Sequence, residues 1–308
     1  MSTFALIGAV QAGLLYSLVA LGVYLSFRVL DFPDLTVDGS FPLGAAVAAT
    51  LIVDGHPPSL ATAAAVLAGA AAGLITAWLH VRLRIMPLLA SILTMVALYS
   101  VNLRVMGRPN ISLYGTATVF TPLEALALPT PWSTALVFLA VALAAKLAVD
   151  WFLATELGLA MRATGENSVM ARAQGVRNDA MILLGMAVSN ALVGLAGALF
   201  AQSEGVADVS LGIGTIVAGL AAVIVGETLL PARSVALATS ACLAGSLVYR
   251  LAVALALNAD FIGLKAQDLN LATAILVAVA VVLSRARAAR TTRLPSPALA
   301  ARKPAEAG

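Results

Sequence analysis

Residues 180–202 read AMILLGMAVSNALVGLAGALFAQ, a stretch that contains no Asp, Glu, Lys or Arg. An α-helix rises about 1.5 Å per residue, so about 20 apolar residues cross a hydrocarbon layer of about 30 Å. The stretch therefore predicts a membrane-spanning helix.

Similar apolar stretches occur on both sides of this one, and together they predict about nine spans, with a range of eight to ten. The predicted spans are 4–27, 37–53, 59–81, 87–106, 131–153, 180–202, 211–230, 232–257 and 268–284. The second and the seventh contain several Gly or Pro residues, which favour broken or re-entrant helices as much as full spans. The predicted fold is an all-α, polytopic transmembrane helical bundle.

The composition of the whole chain agrees with a membrane protein. Of its 308 residues, 61% are hydrophobic and 11% are charged, whereas soluble domains have about 25% charged residues. A soluble enzyme, a disordered chain and a disulfide scaffold are therefore excluded. One cysteine and two histidines predict no metal site and no bound cofactor. The net charge of +3 is small for nucleic-acid binding, so no nucleic-acid partner is expected.

The distribution of Lys and Arg predicts the orientation of the chain in the membrane. With the N-terminus outside and nine spans, thirteen of these residues face the cytosol, three face outward and two lie within spans. The predicted topology is thus N-out and C-in. It makes 1–284 the membrane domain and 285–308 a basic, disordered cytoplasmic tail.

A short pattern occurs twice, at the start of the second and of the seventh span. Asp34-Leu35-Thr36-Val37 and Asp208-Val209-Ser210-Leu211 match in residue type, 174 positions apart. On the predicted topology the two copies enter the membrane from opposite sides, as in inverted-repeat transporters. The alternative is a chance likeness between two helix entries, because Asp, Thr and Ser are common N-caps.

A polar segment, about 155–178, separates the fifth and sixth spans on the cytosolic side. Asn167 can cap a short helix there, and Gly175 suits the left-handed position that ends one. Met170 and Val176 lie on one side of this helix, while Arg172 lies on the other. A helix this short is unstable alone, so it needs the protein's own cytosolic rim or another subunit as a partner.

Four stretches carry a resemblance to a known family. They are residues 158–176 (GLAMRATGENSVMARAQGV), 30–44 (LDFPDLTVDGSFPLG), 91–109 (SILTMVALYSVNLRVMGRP) and 263–271 (GLKAQDLNL). The first resembles the coupling segment of permease subunits of ATP-binding cassette importers. The set resembles the branched-chain amino acid and ribose permease superfamily, most nearly an uncharacterised subgroup labelled as tryptophan or tyrosine type, over residues 1–284.

This resemblance implies a non-enzymatic permease subunit of the cytoplasmic (inner) membrane that translocates an amino acid or a related small solute. The chain has no GxxxxGK[ST] sequence, so ATP hydrolysis is expected on a separate ATPase subunit. The other implied partners are a periplasmic or lipoprotein solute-binding protein and a second permease, as a homodimer or a paralogue pair. The implied ATPase-coupling residues are Gly158, Arg162, Glu166, Asn167, Met170, Ala171, Arg172 and Gly175.

Polar residues within predicted spans are the candidates for a solute path, because burying them in a membrane is costly. The candidate path residues are Asp38, Ser40, Asn102, Asn190, Glu204, Asp208 and Glu227. Two of them have a competing structural explanation. Asn190 suits an interhelical hydrogen bond, and Glu227 could pair with Arg233 at the cytosolic interface.

Two other functions remain open at this point. An ion-coupled secondary transporter would also suit an inverted repeat and intramembrane acids, although it gives no reason for the capped helix near 167–175. An intramembrane enzyme is disfavoured, because the sequence shows no nucleophile–base pair and no H-E-x-x-H motif.

Overall fold

The computed structural model describes residues 3–124, 130–230 and 234–257, together with the single helical positions 275 and 278. The longer helices are α1 (Thr3–Val23), α2 (Val37–Val53), α3 (Pro58–Leu83), α4 (Pro87–Met106), α6 (Thr130–Ala154), α9 (Asn178–Glu204), α10 (Thr215–Leu229) and α11 (Val235–Leu257). The shorter elements are β1 (Asn110–Ser112), α5 (Thr121–Glu124), α7 (Glu156–Glu166), α8 (Ser168–Ala173) and β2 (Val206–Asp208). A π-helical turn, Tyr24–Val29, extends α1, and a 3₁₀ turn, Val209–Gly212, precedes α10.

Helices occupy eight of the nine predicted span positions. Seven of the described helical segments are long and apolar enough to cross a membrane, and α2, with 17 residues, is shorter. The predicted span 268–284 and the tail 285–308 lie outside the described residues. The structure thus confirms an all-helical, multi-span architecture, while the count of nine stays a prediction.

The described residues also form a small antiparallel sheet, which the all-α prediction lacked. Asn110 pairs with Asp208 and Ser112 with Val206, so the connection after α4 is joined to the connection after α9. The Val209 amide donates to the Pro109 carbonyl and prolongs this contact. Strands of three residues are too short to show an alternating pattern, which is why the sequence did not reveal them.

Glycines bring α9 into close contact with α2 and α3. A Cβ atom on Gly44 would overlap the Gly194 backbone, and one on Gly73 would overlap the Met186 carbonyl. Small residues at such contacts allow helix axes to approach closely, which is how membrane helices gain packing energy without a hydrophobic driving force. As a result α2 is held against α9, with its N-terminal turn beside the middle of α9.

A second set of close contacts joins α1, α10 and α11. A Cβ on Gly226 would overlap the Ala241 carbonyl, and the Ser246 hydroxyl donates to the Gly13 carbonyl at 2.7 Å. On the other side of α1, the Ser189 hydroxyl donates to the Gly22 carbonyl at 2.7 Å. The helix α1 therefore lies between α9 and α11 and connects the two sets of helices.

Candidate functional site

The two copies of the repeated pattern adopt the same local geometry. The Thr36 amide donates to Asp34 Oδ1 at 2.9 Å, and the Ser210 amide donates to Asp208 Oδ1 at 2.7 Å. In each copy the aspartate thus accepts from the backbone two residues later, just before a helical turn. This local arrangement is typical of aspartate at turns and helix entries.

Three of the polar residues around the first copy form a closed network inside the bundle. Asn190 Nδ2 donates to Asp34 Oδ2 at 2.8 Å, and the Ser40 hydroxyl donates to Asn190 Oδ1 at 2.7 Å. All three side chains are fully buried. Ser40 and Asn190 were predicted as candidates for a solute path, and the structure places both in this interhelical network.

Asp38 lies between the N-termini of two helices. It belongs to the first turn of α2, and its carboxylate accepts from the Ile216 amide at 2.7 Å and the Gly214 amide at 3.3 Å. These amides open α10 and have no acceptor within their own helix. A carboxylate there is stabilised both by the hydrogen bonds and by the dipole of α10.

A cavity of about 430 Å³ opens beside this junction. Its polar lining comes from Asp38 on α2, Asn102 on α4 and Ser210 on the 3₁₀ turn, together with Tyr99 and Ser100. Asn102 is fully buried, and its Nδ2 donates to the Gly39 carbonyl at 3.3 Å. Of the seven predicted path residues, Asp38 and Asn102 are thus brought together at this one cavity.

Glu204 and Asp208 lie elsewhere. Glu204 ends α9 and lines a separate cavity of about 360 Å³ between α1, α6 and α9, whose walls include Phe138 and Phe200. Asp208 lies on β2, where its carboxylate is engaged by Ser210. The predicted path residues therefore do not form a single site.

The structure shows a partner for Glu227 that the sequence did not reveal. Its carboxylate pairs with Arg28 of the π-helical turn that extends α1, whereas the predicted partner, Arg233, lies outside the described residues. The prediction relied on nearness along the chain, whereas the packing of α1 against α10 brings together residues that are far apart in sequence. This ion pair joins the ends of α1 and α10 that are opposite to the cavity.

The segment between α6 and α9 contains two helices instead of the single short one predicted. Asn167 ends α7 and begins α8, where its Oδ1 accepts from the Met170 amide at 2.9 Å. Gly175 follows with φ of 86°, which confirms the predicted cap and terminator. The helix α7 was not predicted, because its two glycines, Gly158 and Gly165, weaken a helical pattern.

The predicted coupling residues differ in exposure. Met170 is 63% exposed, Val169 is 78% exposed, and Arg162, Glu166 and Arg172 are also at the surface. Ala171, in contrast, is buried, and Gly158 is buried where a Cβ would overlap the Phe152 carbonyl. An apolar tip on α8, formed by Val169 and Met170, is therefore available to a partner, while Ala171 and Gly158 serve the packing of the segment itself.

Two further features were not predicted from the sequence. Lys146 Nζ pairs with Asp150 of the same helix at 2.6 Å, a spacing of four residues that the sequence already contains. Arg250 lies over the ring of Tyr16, with its guanidinium carbon 3.6 Å from the ring centre.

Within the described residues, no group of three or more His, Cys, Asp or Glu side chains could hold a metal ion.

Comparisons with known proteins agree with this architecture. The family described as "Branched-chain amino acid transport system / permease component" matches residues 5–283. A "Tyrosine transport system permease protein" of Clostridioides difficile (strain R20291) is 38% identical over 272 residues, 88% of each chain. An uncharacterised protein of Rickettsia prowazekii (strain Madrid E) is 36% identical, over 72% of this chain and 76% of the relative.

A solved structure, PsaBC from Streptococcus pneumoniae in complex with Fab, superposes with a TM-score of 0.50 over 91% of both chains. Its identity of 18% supports a common fold and nothing more specific. The family match covers most of this chain, and its members are transporter components, not enzymes. The chain therefore belongs to the permease family of branched-chain amino acid transport systems, and it is a multi-pass permease component of an ABC-type system in the cell inner membrane.

Proposed function

We propose that this permease imports an amino acid or a related small organic solute, with the energy supplied by a separate ATPase that docks on α8. The family implies an ATPase and a solute-binding protein as partners. The relative that carries a tyrosine transport name supports an amino acid as the solute. The observation that carries the docking proposal is the exposed apolar tip of a helix that is capped at both ends.

The apolar tip on α8 has the chemistry of a docking site. Val169 and Met170 present apolar surface to solvent, and Arg172 adds a positive charge on the same short helix. Exposed apolar groups with a polar surround are typical of protein interaction sites. The side-chain Nδ2 of Asn178 donates to the Ser168 carbonyl at 2.6 Å and ties α8 to α9, so a movement of α8 would be transmitted to α9.

The proposed orientation is N-out and C-in, with nine spans arranged as an inverted repeat. The charge distribution supports this orientation. The two aspartate turns, Asp34–Thr36 and Asp208–Ser210, and the meeting of α2 with α10 at Asp38 support the repeat. Residues 1–284 would then form the membrane domain, and 285–308 a basic tail on the cytosolic side.

The proposed solute path runs past the cavity at Asp38 and Asn102. Helix N-termini that meet inside a membrane are common at solute sites of transporters. Glu204, Asp208 and Glu227 lie toward the ends of the helices, where they would act at the entrance and exit. Two permeases, as a homodimer or a paralogue pair, would supply the two docking tips that a two-subunit ATPase needs.

Reconstituted transport tests this function directly. The permease is placed in liposomes with its ATPase and binding protein, and uptake of labelled L-tyrosine is measured with ATP, without ATP and with an imposed ion gradient. ATP-dependent uptake is expected, and the permease alone should hydrolyse no ATP. Uptake driven by the ion gradient without the ATPase would instead show a secondary transporter.

Labelling of single cysteines tests the orientation. Ser168→Cys and Ser112→Cys are made in a Cys242→Ala background, and both serines are exposed. An impermeant thiol reagent added to intact cells should label position 112 and spare position 168. The reverse pattern would overturn the N-out topology.

A further inference from the structure

Three polar side chains that line the 430 Å³ cavity between α2, α4 and the 3₁₀ turn offer hydrogen-bond acceptors, namely Asp38, Asn102 and Ser210. A carboxylate offers about four acceptor positions, and two amides of α10 occupy only part of those on Asp38. The Ser210 hydroxyl gives its proton to Asp208 Oδ1, which leaves its oxygen free to accept. Among the described residues that line the cavity there is no Lys, Arg or His.

Asn102 adds an acceptor that no described residue satisfies. Its nitrogen must face the Gly39 carbonyl, because a carbonyl can only accept. Its oxygen, Oδ1, is therefore directed elsewhere, and it is buried without a hydrogen-bond partner among the described residues. Most buried amide oxygens in proteins have a donor, so this one would be stabilised by a donor that a ligand brings.

The remainder of the cavity is apolar. Pro42, Met95, Val96 and Ile213 line it, together with the ring of Tyr99. Such walls suit an aromatic or aliphatic body, while the few polar groups fix its orientation. The cavity thus combines apolar walls with the acceptors of Asp38 and Asn102.

We propose that this cavity is a subsite for a protonated primary amine on an apolar body, with Asp38 and Asn102 accepting the N–H bonds. An ammonium group supplies three donors and one positive charge, which match the free oxygen of Asn102 and the carboxylate of Asp38. A carboxylate at the same place would face the carboxylate of Asp38 and the oxygen of Asn102, which both accept. The proposal rests on the proposed import function, because it assigns one part of the solute to one part of the path.

Two probes that differ only in the head group test the subsite. Tyramine carries the amine, and 3-(4-hydroxyphenyl)propanoate carries a carboxylate on the same ring and chain. Equilibrium binding of each is measured on the permease–ATPase complex in lipid nanodiscs, without the binding protein. We expect the wild type to bind tyramine at least tenfold more tightly than the propanoate.

Variants assign the effect to the named residues. Asn102→Leu and Asp38→Asn should each weaken tyramine binding at least tenfold, while Val101→Ala, the adjacent residue on the exposed face of α4, should bind as the wild type does. If Asn102→Leu fails to fold, the Asp38→Asn variant decides the question, because unchanged tyramine binding by that folded variant would overturn the proposal.

Other results would also overturn it: equal affinity for both probes, no tyramine binding by the wild type, or unchanged binding in a folded Asn102→Leu variant. Uptake of L-tyrosine by the complete system is measured on the same preparations. Normal uptake with one of these results would reject the subsite and leave the import function intact. Tyramine binding without tyrosine uptake would instead reject tyrosine as the solute and retain the amine subsite.

Discussion

The contact between α2 and α9 is closely packed and its polar side chains are paired, whereas the short helix α8 leaves apolar side chains in solvent. Between α2 and α9, glycine contacts leave no room for a side chain, and Asp34, Ser40 and Asn190 satisfy one another. On α8, the apolar side chains of Val169 and Met170 are left in solvent. The first region is complete within one chain, whereas we propose that a partner completes the second. Substitutions should therefore lower stability in the first region and lower association in the second.

Gly44→Val should have the largest effect. Its Cβ would overlap the Gly194 backbone, and backbone atoms cannot move aside as a flexible side chain can. We expect a loss of stability above about 3 kcal/mol, since overpacking of a core alone costs about 1–3 kcal/mol. The measurement is the yield and the melting temperature of the purified permease. Gly8→Val is the control, because nothing lies within 4 Å of a Cβ at Gly8, and equal losses in both variants would contradict the packing argument.

Asn190→Leu should have the next largest effect, because it leaves Asp34 and Ser40 without their shared partner. An unsatisfied buried polar group costs about 1–3 kcal/mol, and a charged one costs more. The melting temperature of the permease should fall clearly. Ser240→Ala serves as the control, since that exposed hydroxyl bonds only to its own helix at Ala236. A melting temperature like that of this control would show that the network adds little stability.

Met170→Glu should act on assembly and leave folding intact. The residue is exposed, so the isolated permease should melt as the wild type does, whereas a carboxylate forced into an apolar docking surface should weaken ATPase binding at least tenfold, or about 1.4 kcal/mol. Co-purification of the ATPase measures this. The control is Tyr114→Glu, at a residue that follows β1 and is 95% exposed. Ala171 is unsuitable for this test because it is buried. Unchanged ATPase recovery with Met170→Glu would reject the docking role of α8.

Glu227→Gln should have the smallest effect. The pair with Arg28 is partly exposed, with side-chain exposures of 53% for Arg28 and 29% for Glu227, and such pairs contribute about 0–1 kcal/mol. The melting temperature should fall slightly at low salt, and the difference should disappear at 1 M salt because of screening. Asp54→Asn, at an exposed helix end, is the control. A decrease of several kcal/mol in the free energy of unfolding would show that the pair stabilises the fold far more than an exposed ion pair does.

Much of the local structure could be predicted because it depends on neighbouring residues. The positions of eight helices follow from apolar length, and the cap at Asn167 and the left-handed Gly175 follow from residue type. The partner of Glu227 and the strands β1 and β2 could not be predicted. They depend on which distant segments meet, and short segments carry no periodic pattern that reveals their partners.

The candidate path was only partly predictable for the same reason. Asp38, Ser40, Asn102 and Asn190 were selected by one criterion, polarity within a predicted span, yet they have different surroundings. Asn190 and Ser40 complete a closed network, while Asp38 and Asn102 line a cavity. The polarity of each residue can be read from the sequence, whereas the residues that surround it in the fold cannot.

The sequence by itself determined that the chain is a helical membrane protein with a capped short helix between two spans and the stretches of a known permease family. These properties follow from apolar length, charge bias and local backbone preference, which act within a few residues. The tertiary structure decided where the helices α2 and α10 meet, that Asp38 caps α10, and that the Asn102 oxygen has no hydrogen-bond partner among the described residues. Such contacts depend on close packing between helices that are distant in the chain, where a glycine or a methyl group sets which backbones can touch.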